Sequence, residues 1–398
     1  MSVGYEEYKM TKTATKKRNW LSSVICLALI GVLLLLPTGY ENAGAGRLAS
    51  EERVPAHIVS TDDSTIKDTG LVRSGEQSCT VQLLGGSHKG ETHRAGNMLN
   101  GSFEQDKIYK AGETALVLVS VEDGSVAAVS MIDHYRISGE IWLLLAFFAL
   151  LIVFAGWTGL RAVLSFILSV LSIWKILVPL SLNGANPILV GALVTTGLII
   201  MIIALVFGFN RITLASCIGA ISGLAVTAAL GIMSTNAFHI HGAVMSFSES
   251  LLYSGYEHLN LTQIFMASIF IGSSGAMMDL SVDIAAAVNE VVTKRPDLSR
   301  FEAMMSGMRV GRAAMGTMTT TLLLAYSGSY IALLMVFMAQ GTPMINVFNY
   351  KYVASEVIHT IVGSFGLVAA APLTAAASGL LLAKGEQNTT LSQTAMEE

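Results

Sequence analysis

Charge is what this sequence most lacks. Only 13% of its 398 residues are Asp, Glu, Lys or Arg while 53% are hydrophobic, and the mean hydropathy is +0.60. A soluble globular chain carries about 25% charged residues, so this composition excludes an ordinary soluble domain and points to a protein solvated by lipid. Long basic runs are also missing and the formal net charge is only -4, which leaves neither a nucleic-acid footprint nor a disordered acidic tail. Cysteine is scarce: Cys26, Cys79 and Cys217 are scattered and two lie in apolar stretches, so no disulfide framework and no zinc site can be assembled from them. His239 and His241, in FHIHG, lack a paired carboxylate or thiol, and loop histidines are expected there rather than a metal centre. No cofactor is expected.

Apolar runs fill much of the chain. Lys9, Lys12, Lys16, Lys17 and Arg18 precede the run from Trp20 to Leu36, the layout of a signal sequence or of a first membrane anchor. The segment NAGAG offers a small-residue cleavage site, but about 17 apolar residues is nearer a spanning helix, so a retained anchor is expected. From Tyr40 to about Arg136 the chain is polar with alternating apolar residues, and turn pairs recur at Gly85-Gly86, Lys89-Gly90, Asn100-Gly101 and Asp123-Gly124. That pattern predicts a small β domain. Its clearest hairpin is TALVLVSV, EDG, SVAAVSMI, where Asp-Gly supplies the positive backbone angles of a tight turn. No nucleophile, base and orienting group occur together in it, so a lid or assembly module without chemistry is expected.

Seven further spans are predicted by length and freedom from charge: Ile141 to Phe154, extensible toward Trp157; Val163 to Leu182; Pro187 to Phe207; Ile212 to Met233; Ile264 to Val288; Ala314 to Met338; and Val353 to Leu382. The expected fold is an α-helical multi-pass membrane bundle of about eight transmembrane helices, with a small extracytoplasmic β domain between the first and second. The divisions are 1–39 for a cytoplasmic N-terminus and anchor, 40–138 for the β domain, 139–383 for a seven-helix membrane domain and 384–398 for a cytoplasmic tail. With the N-terminus inside, cytoplasmic loops hold Arg161, Arg211, Lys294, Arg295, Arg300, Arg309, Arg312 and Lys384, whereas the outer loops between the later spans, SLNGANP, TNAFHIHGAVMSFSESLLYSGYEHLNLTQ and QGTPMINVFNYKY, hold only Lys351. The positive-inside rule then places both termini in the cytoplasm and the chain in the cell membrane. Lys175, inside a span, can snorkel to the outer surface.

Within the spans, Asp279, Asp283 and Glu290 recur on one helix face, an acidic stripe descending toward the cytoplasm. Gly272 and Gly275 just upstream permit close helix approach. After the loop, Ser299 and Glu302 fit a capping box, and Phe301, Met304, Met305 and Met308 can lie along the membrane surface. Arg309, Arg312, Gly316 and Thr320 recur at helical spacing as one thin polar face. Gly307, Gly311 and Gly316 are expected as packing glycines of this helix, as are Gly219 and Gly223 in GAISG. Since this helix returns antiparallel, Arg309 and Arg312 enter the membrane where Asp283 leaves it. The arginines either neutralise the aspartates and lock two helices together, or act as counter-charges of a site whose protonation depends on conformation. Glu356 and His359 share a face of the last span near its outer end.

GAMMDLSVDIAAAVNEV, a P-x-L loop, SGMRVGRAAMGTMTTTLLLAYSGS and a last span with Glu356 before GSFGLVAAAPLTA follow one another in an order that resembles the YibE/F-like family of bacterial multi-pass membrane proteins. The HKG turn and DHYR ending of the β domain are similar to that family's N-terminal region. The resemblance implies fold and location but no substrate. Where the family pattern has an acidic residue after Gly-Arg and an Asn in the Thr stretch, this chain has Ala313 and Thr320.

Three functions follow. A permease or exporter of a small solute or ion would use Asp279 and Asp283 as a cation or proton site, with Arg309, Arg312, Thr320, Glu356 and His359 as further pathway candidates. An intramembrane serine hydrolase would use Ser274 of GSSG with His359. An assembly or sensory subunit would use the β domain to bind a partner. The bilayer and a small solute or ion are the expected partners, a homologous or identical membrane subunit is a further candidate, and nucleic acid is not one.

Overall fold

The structure is a computed structural model and describes residues 20–40 and 51–383. The basic cluster from Lys9 to Arg18, the NAGAG segment and the tail with Lys384 lie outside the described residues. The chain divides into two compact units, Gly39–Phe154 and a helical unit made of Met1–Thr38 with Ala155–Glu398.

The first unit is built on a β-barrel. Strands β1 (Glu51–Asp62), β2 (Lys67–Asp68), β3 (Arg73–Leu83), β4 (Thr92–Asn100), β5 (Thr114–Glu122) and β6 (Ser125–His134) lie in the order β1-β5-β6-β4-β3-β2. The extra antiparallel pairing of β1 with β3 closes the sheet, and β4 with β6 is its parallel seam. Five long strands closed in this order form a small Greek-key barrel of the OB type. The expected hairpin is present: Val121 pairs with Val126 and Glu122 with Ser125, and Asp123 and Gly124 have φ of 50° and 76°, as a two-residue type I′ turn requires. Alternate residues enter one core of Val54, Ala56, Ile58, Cys79, Val81 and Val117 with their neighbours. Two buried amides tie the β4–β5 loop across it: Gln77 Nε2 donates to the Tyr109 carbonyl at 2.9 Å, and Asn97 Nδ2 donates to that of Lys107 at 2.6 Å.

Five described helices are long and apolar enough to cross a membrane, or six if one bent pair forms a single span. The sequence-based count of eight is not reproduced among the described residues, and the difference lies at three places. The spans expected at 141–154 and 163–182 follow one another within α2 (Ile137–Leu182), kinked at Gly156, whose φ and ψ of 56° and -125° are non-helical. The span expected at 314–338 is broken. Its helix α7 (Arg300–Ser327) turns by 67° into α8 (Ile331–Ala339) after Ser327 and Gly328, a Ser-Gly pair of the kind at which helices kink. Finally, the described part of the first run, α1 (Trp20–Leu35), falls in the shorter apolar class.

Within α2, Pro179 follows a widened π turn at Ile173–Leu177, as expected where a missing N–H breaks the ladder. Lys175 in that turn donates to the Leu36 carbonyl at 2.9 Å, so its ammonium meets the end of α1, where orphan carbonyls attract a cation.

The remaining helices are α3 (Pro187–Phe207), α4 (Arg211–Ala237), α5 (Ser248–Tyr253), α6 (Leu261–Lys294), α9 (Met344–Asn349) and α10 (Lys351–Leu382). Helices α4, α6, α7 and α10 pack on one another around α10, with α3 against α4 and α6. Glycine sets the closest approach. A Cβ on Gly223 of α4 would lie 2.8 Å from that of Ala370 and 2.9 Å from the Gly366 carbonyl of α10. Gly219 likewise leaves room for Thr374, and Gly366 for Thr227.

Candidate functional site

Helix α6 is the central element of the helical unit, touched by α3, α4, α7 and α10. At about 51 Å for 34 residues it is longer than the hydrocarbon core is thick. Three sides of it are covered: Ser273, Ser274, Met277, Leu280, Ser281, Ile284 and Val288 are buried. What stays open is a narrow strip with Gly272, Asp279, Asp283 and Glu290 exposed and Gly275 and Ala276 half-buried. The three acidic residues thus share one face, as their spacing requires. Glu290 is paired, its carboxylate 2.7 Å from Lys294 Nζ. Asp279 and Asp283 make no ion pair among the described residues.

Helix α7 begins with the capping box: the Ser299 hydroxyl accepts from the Glu302 N–H, and Glu302 accepts in return from the Ser299 N–H at 3.0 Å. Met304 and Met308 pack into the core against α6 and α10, while Phe301 remains 67% exposed. Its buried stripe contains Gly307 and Gly311, where an added Cβ would meet Val288 at 2.7 Å and Ile284 at 3.0 Å respectively. On the opposite side Arg309, Arg312, Ala313, Gly316, Thr317 and Thr320 are all exposed. The Thr320 hydroxyl donates to the Gly316 carbonyl at 3.2 Å, and Arg309 Nε reaches the Met305 carbonyl at 3.4 Å. Neither arginine pairs with Asp279 or Asp283, so the locking ion pair between α6 and α7 is not formed within the chain.

The glycine contacts set the antiparallel register of the two helices. Gly307 lies beside Val288 and Ile284, Gly311 beside Ile284, and Gly272 beside the Tyr326 hydroxyl. In that register Asp283 is level with Arg312, Asp279 with Gly316, and Gly275 with Thr320. Gly275 and Gly316, expected as packing glycines, meet no atom within 4 Å of an added Cβ.

A second constellation closes the upper end of the strip. Glu356 and His359 stand on successive turns of α10. The His359 ring stacks on Tyr326 with centroids 4.7 Å apart, with Phe265 on another side at 6.2 Å. The Tyr330 hydroxyl faces the Glu356 carboxyl. Glu356 Oε1 and His359 Nε2 are buried with no hydrogen-bond partner among the described residues, and a Cβ on Gly272 would come within 3.7 Å of that Nε2. Gly272 and Asp279 are two turns apart on α6, about 10 Å. Sequence reasoning found Glu356 and His359 but missed Tyr326 and Tyr330, because a tyrosine at the end of an apolar run looks like an interfacial anchor.

Other candidates are satisfied locally. The Ser274 hydroxyl donates to the Ile271 carbonyl at 2.7 Å and Ser273 to that of Ile269 at 2.9 Å, so neither is hydrogen-bonded to His359. His241 Nδ1 accepts from the Ala243 N–H at 3.2 Å, a capping role. Among the described residues no group of three His, Cys, Asp or Glu side chains could hold a metal ion.

Charge at these depths constrains what the strip can face. An aspartate or arginine turned to lipid at mid-membrane costs about 3 kcal/mol by insertion scales. One such group already offsets a sizeable part of a folding free energy of about 5–15 kcal/mol. The α6 strip and the outer face of α7 therefore call for water or protein.

The sequence profile of a family described as YibE/F-like protein matches residues 143–384, which takes in the second constellation, the acidic strip and both arginines. No curated protein and no solved structure matches the chain.

Proposed function

Starting from the fact that the chain belongs to the YibE/F-like family, we propose that it is a cell-membrane permease or exporter that moves a small solute or ion along the open strip of α6, with no catalytic step. The observation that supports this reading is one line of groups on one helix: Gly272 beside Tyr326 and His359, then Gly275 with open space before it, then Asp279 and Asp283 without an ion pair among the described residues. Unpaired carboxylates in a span are the usual material of cation and proton pathways, and small residues leave room for a solute or for water. Asp279 and Asp283 form the principal cation or proton site. Glu356, His359, Tyr326 and Tyr330 form a second site toward the other end, and Thr320 and Gly316 border the path on α7.

Eight spans are retained by counting the two sides of Gly156 separately, α7 with α8 as one, and α1 as an anchor. The Lys and Arg distribution then puts both termini in the cytoplasm and the barrel outside.

Flux in proteoliposomes tests the proposal, with a pH-sensitive dye and a panel of small cations as probes. Asp279→Asn is expected to lower flux more than tenfold while the circular dichroism spectrum stays unchanged. Equal flux in Asp279→Asn and in the unsubstituted protein would remove the aspartates from the mechanism.

A further inference from the structure

We infer that the open strip of α6 is covered by α7 of a second copy of this chain, so that Asp283 of one copy faces Arg312 of the other, with Asp279 one turn further along the same contact. The inference takes the site of the transport reading as its starting point and names the partner that completes it.

The two surfaces are complementary in charge, size and depth. The α6 strip is acidic and thin, with two aspartates and Gly275 open to space. The outer face of α7 is basic and thin, with two arginines and Gly316 equally open. Neither set of charges forms an ion pair among the described residues. Leu323 and Leu324, further along α7, are 51% and 67% exposed, so that helix turns apolar where it leaves the level of the strip. A two-fold axis along the membrane normal keeps each residue at its own depth and makes the contact isologous: α6 of one copy meets α7 of the other, and the reverse. The register within one chain makes Asp283 level with Arg312, Asp279 level with Gly316 and Gly275 level with Thr320. A symmetric dimer therefore sets carboxylate against guanidinium and small residue against small residue, the close approach that membrane helices use to associate. Such a dimer encloses the path between two copies of α6 and supplies its counter-charges in trans.

Disulfide trapping in native membranes tests this. Two differently tagged full-length chains are co-expressed, one with Gly275→Cys and the other with Thr320→Cys. Each alone serves as background, since Cys26, Cys79 and Cys217 are buried. A linked dimer bearing both tags is expected, at least tenfold above the yield from a Leu193→Cys pair on a 74% exposed position of α3. Asp283→Arg in one chain is expected to lower the yield more than tenfold, and Arg312→Asp in the other to restore it. Gly316→Leu, at a position where an added Cβ has open space within 4 Å, is expected to keep the fold and abolish the dimer. A monomer in the membrane, a yield no higher than the α3 control, or no rescue by the charge swap would overturn the inference. Flux without trapping would leave the transport reading standing alone; trapping without flux would sink that reading and leave the dimer.

Discussion

Asp106 shows how one side chain can hold a loop. Its carboxylate accepts from the N–H groups of Asn100, Gly101 and Ser102 at 2.9, 2.6 and 2.8 Å, and the first of these bonds leads in holding its pKa below the usual value. Asp133 is held low chiefly by its hydrogen bond with Arg136. A carboxyl whose folded pKa is depressed contributes stability that is fully present above its unfolded value, near 4, and is lost as pH falls through the folded value. The barrel is therefore expected to melt earlier below pH 4 than at pH 7, and Asp106→Asn to shrink that difference, in thermal unfolding followed by circular dichroism. Cys79 behaves in the opposite sense. Burial raises its thiol to about 11, so it is expected to resist maleimide at pH 8 in the folded protein and to react once urea unfolds the barrel, as mass spectrometry of the adducts would record.

At the scale of elements, the membrane helices are held by what is missing from their glycines. The α4–α10 seam closes over Gly219, Gly223 and Gly366, and Gly223→Val is expected to cost about 1–3 kcal/mol by overpacking. Gly197→Ala, at a site with nothing within 4 Å, is expected to leave the melting temperature in detergent unchanged or slightly raised; equal losses in both variants would deny the seam its role. Ser299→Ala removes the capping box of α7 and is expected to cost about 1 kcal/mol, read as faster amide exchange in the first turn of that helix. Gly124 at the β5–β6 turn is held by its positive φ alone, since no atom lies near its missing Cβ.

At the scale of the whole molecule, the barrel has a core of its own and the helical unit has others. Residues 51–136 expressed alone are accordingly expected to be soluble and to give a cooperative β-type melt. An aggregated fragment without a transition would show that the barrel depends on the rest of the chain. Proposed assembly and proposed transport meet at the α6 strip, where a charge at one depth is left for a partner of opposite sign.

Much of this architecture is legible in local pattern. Run length located Pro187–Phe207 to the residue, the Asp-Gly pair located the hairpin, and Ser-x-x-Glu located the start of α7, because span length, turn angles and caps are set by residues close together in the chain. Three matters needed the tertiary structure: the barrel closure of β1 on β3, the pairing of Glu290 with Lys294 while Asp279 and Asp283 make no ion pair among the described residues, and the difference between Gly307, which packs, and Gly316, which does not. In a bilayer the solvent outside a helix is as apolar as its neighbours inside, so periodicity does not say which side faces protein. Sequence by itself determined that this chain crosses a membrane and which residues could carry charge there; only the packing of α3, α4, α7 and α10 around α6 decided which of those charges were left open.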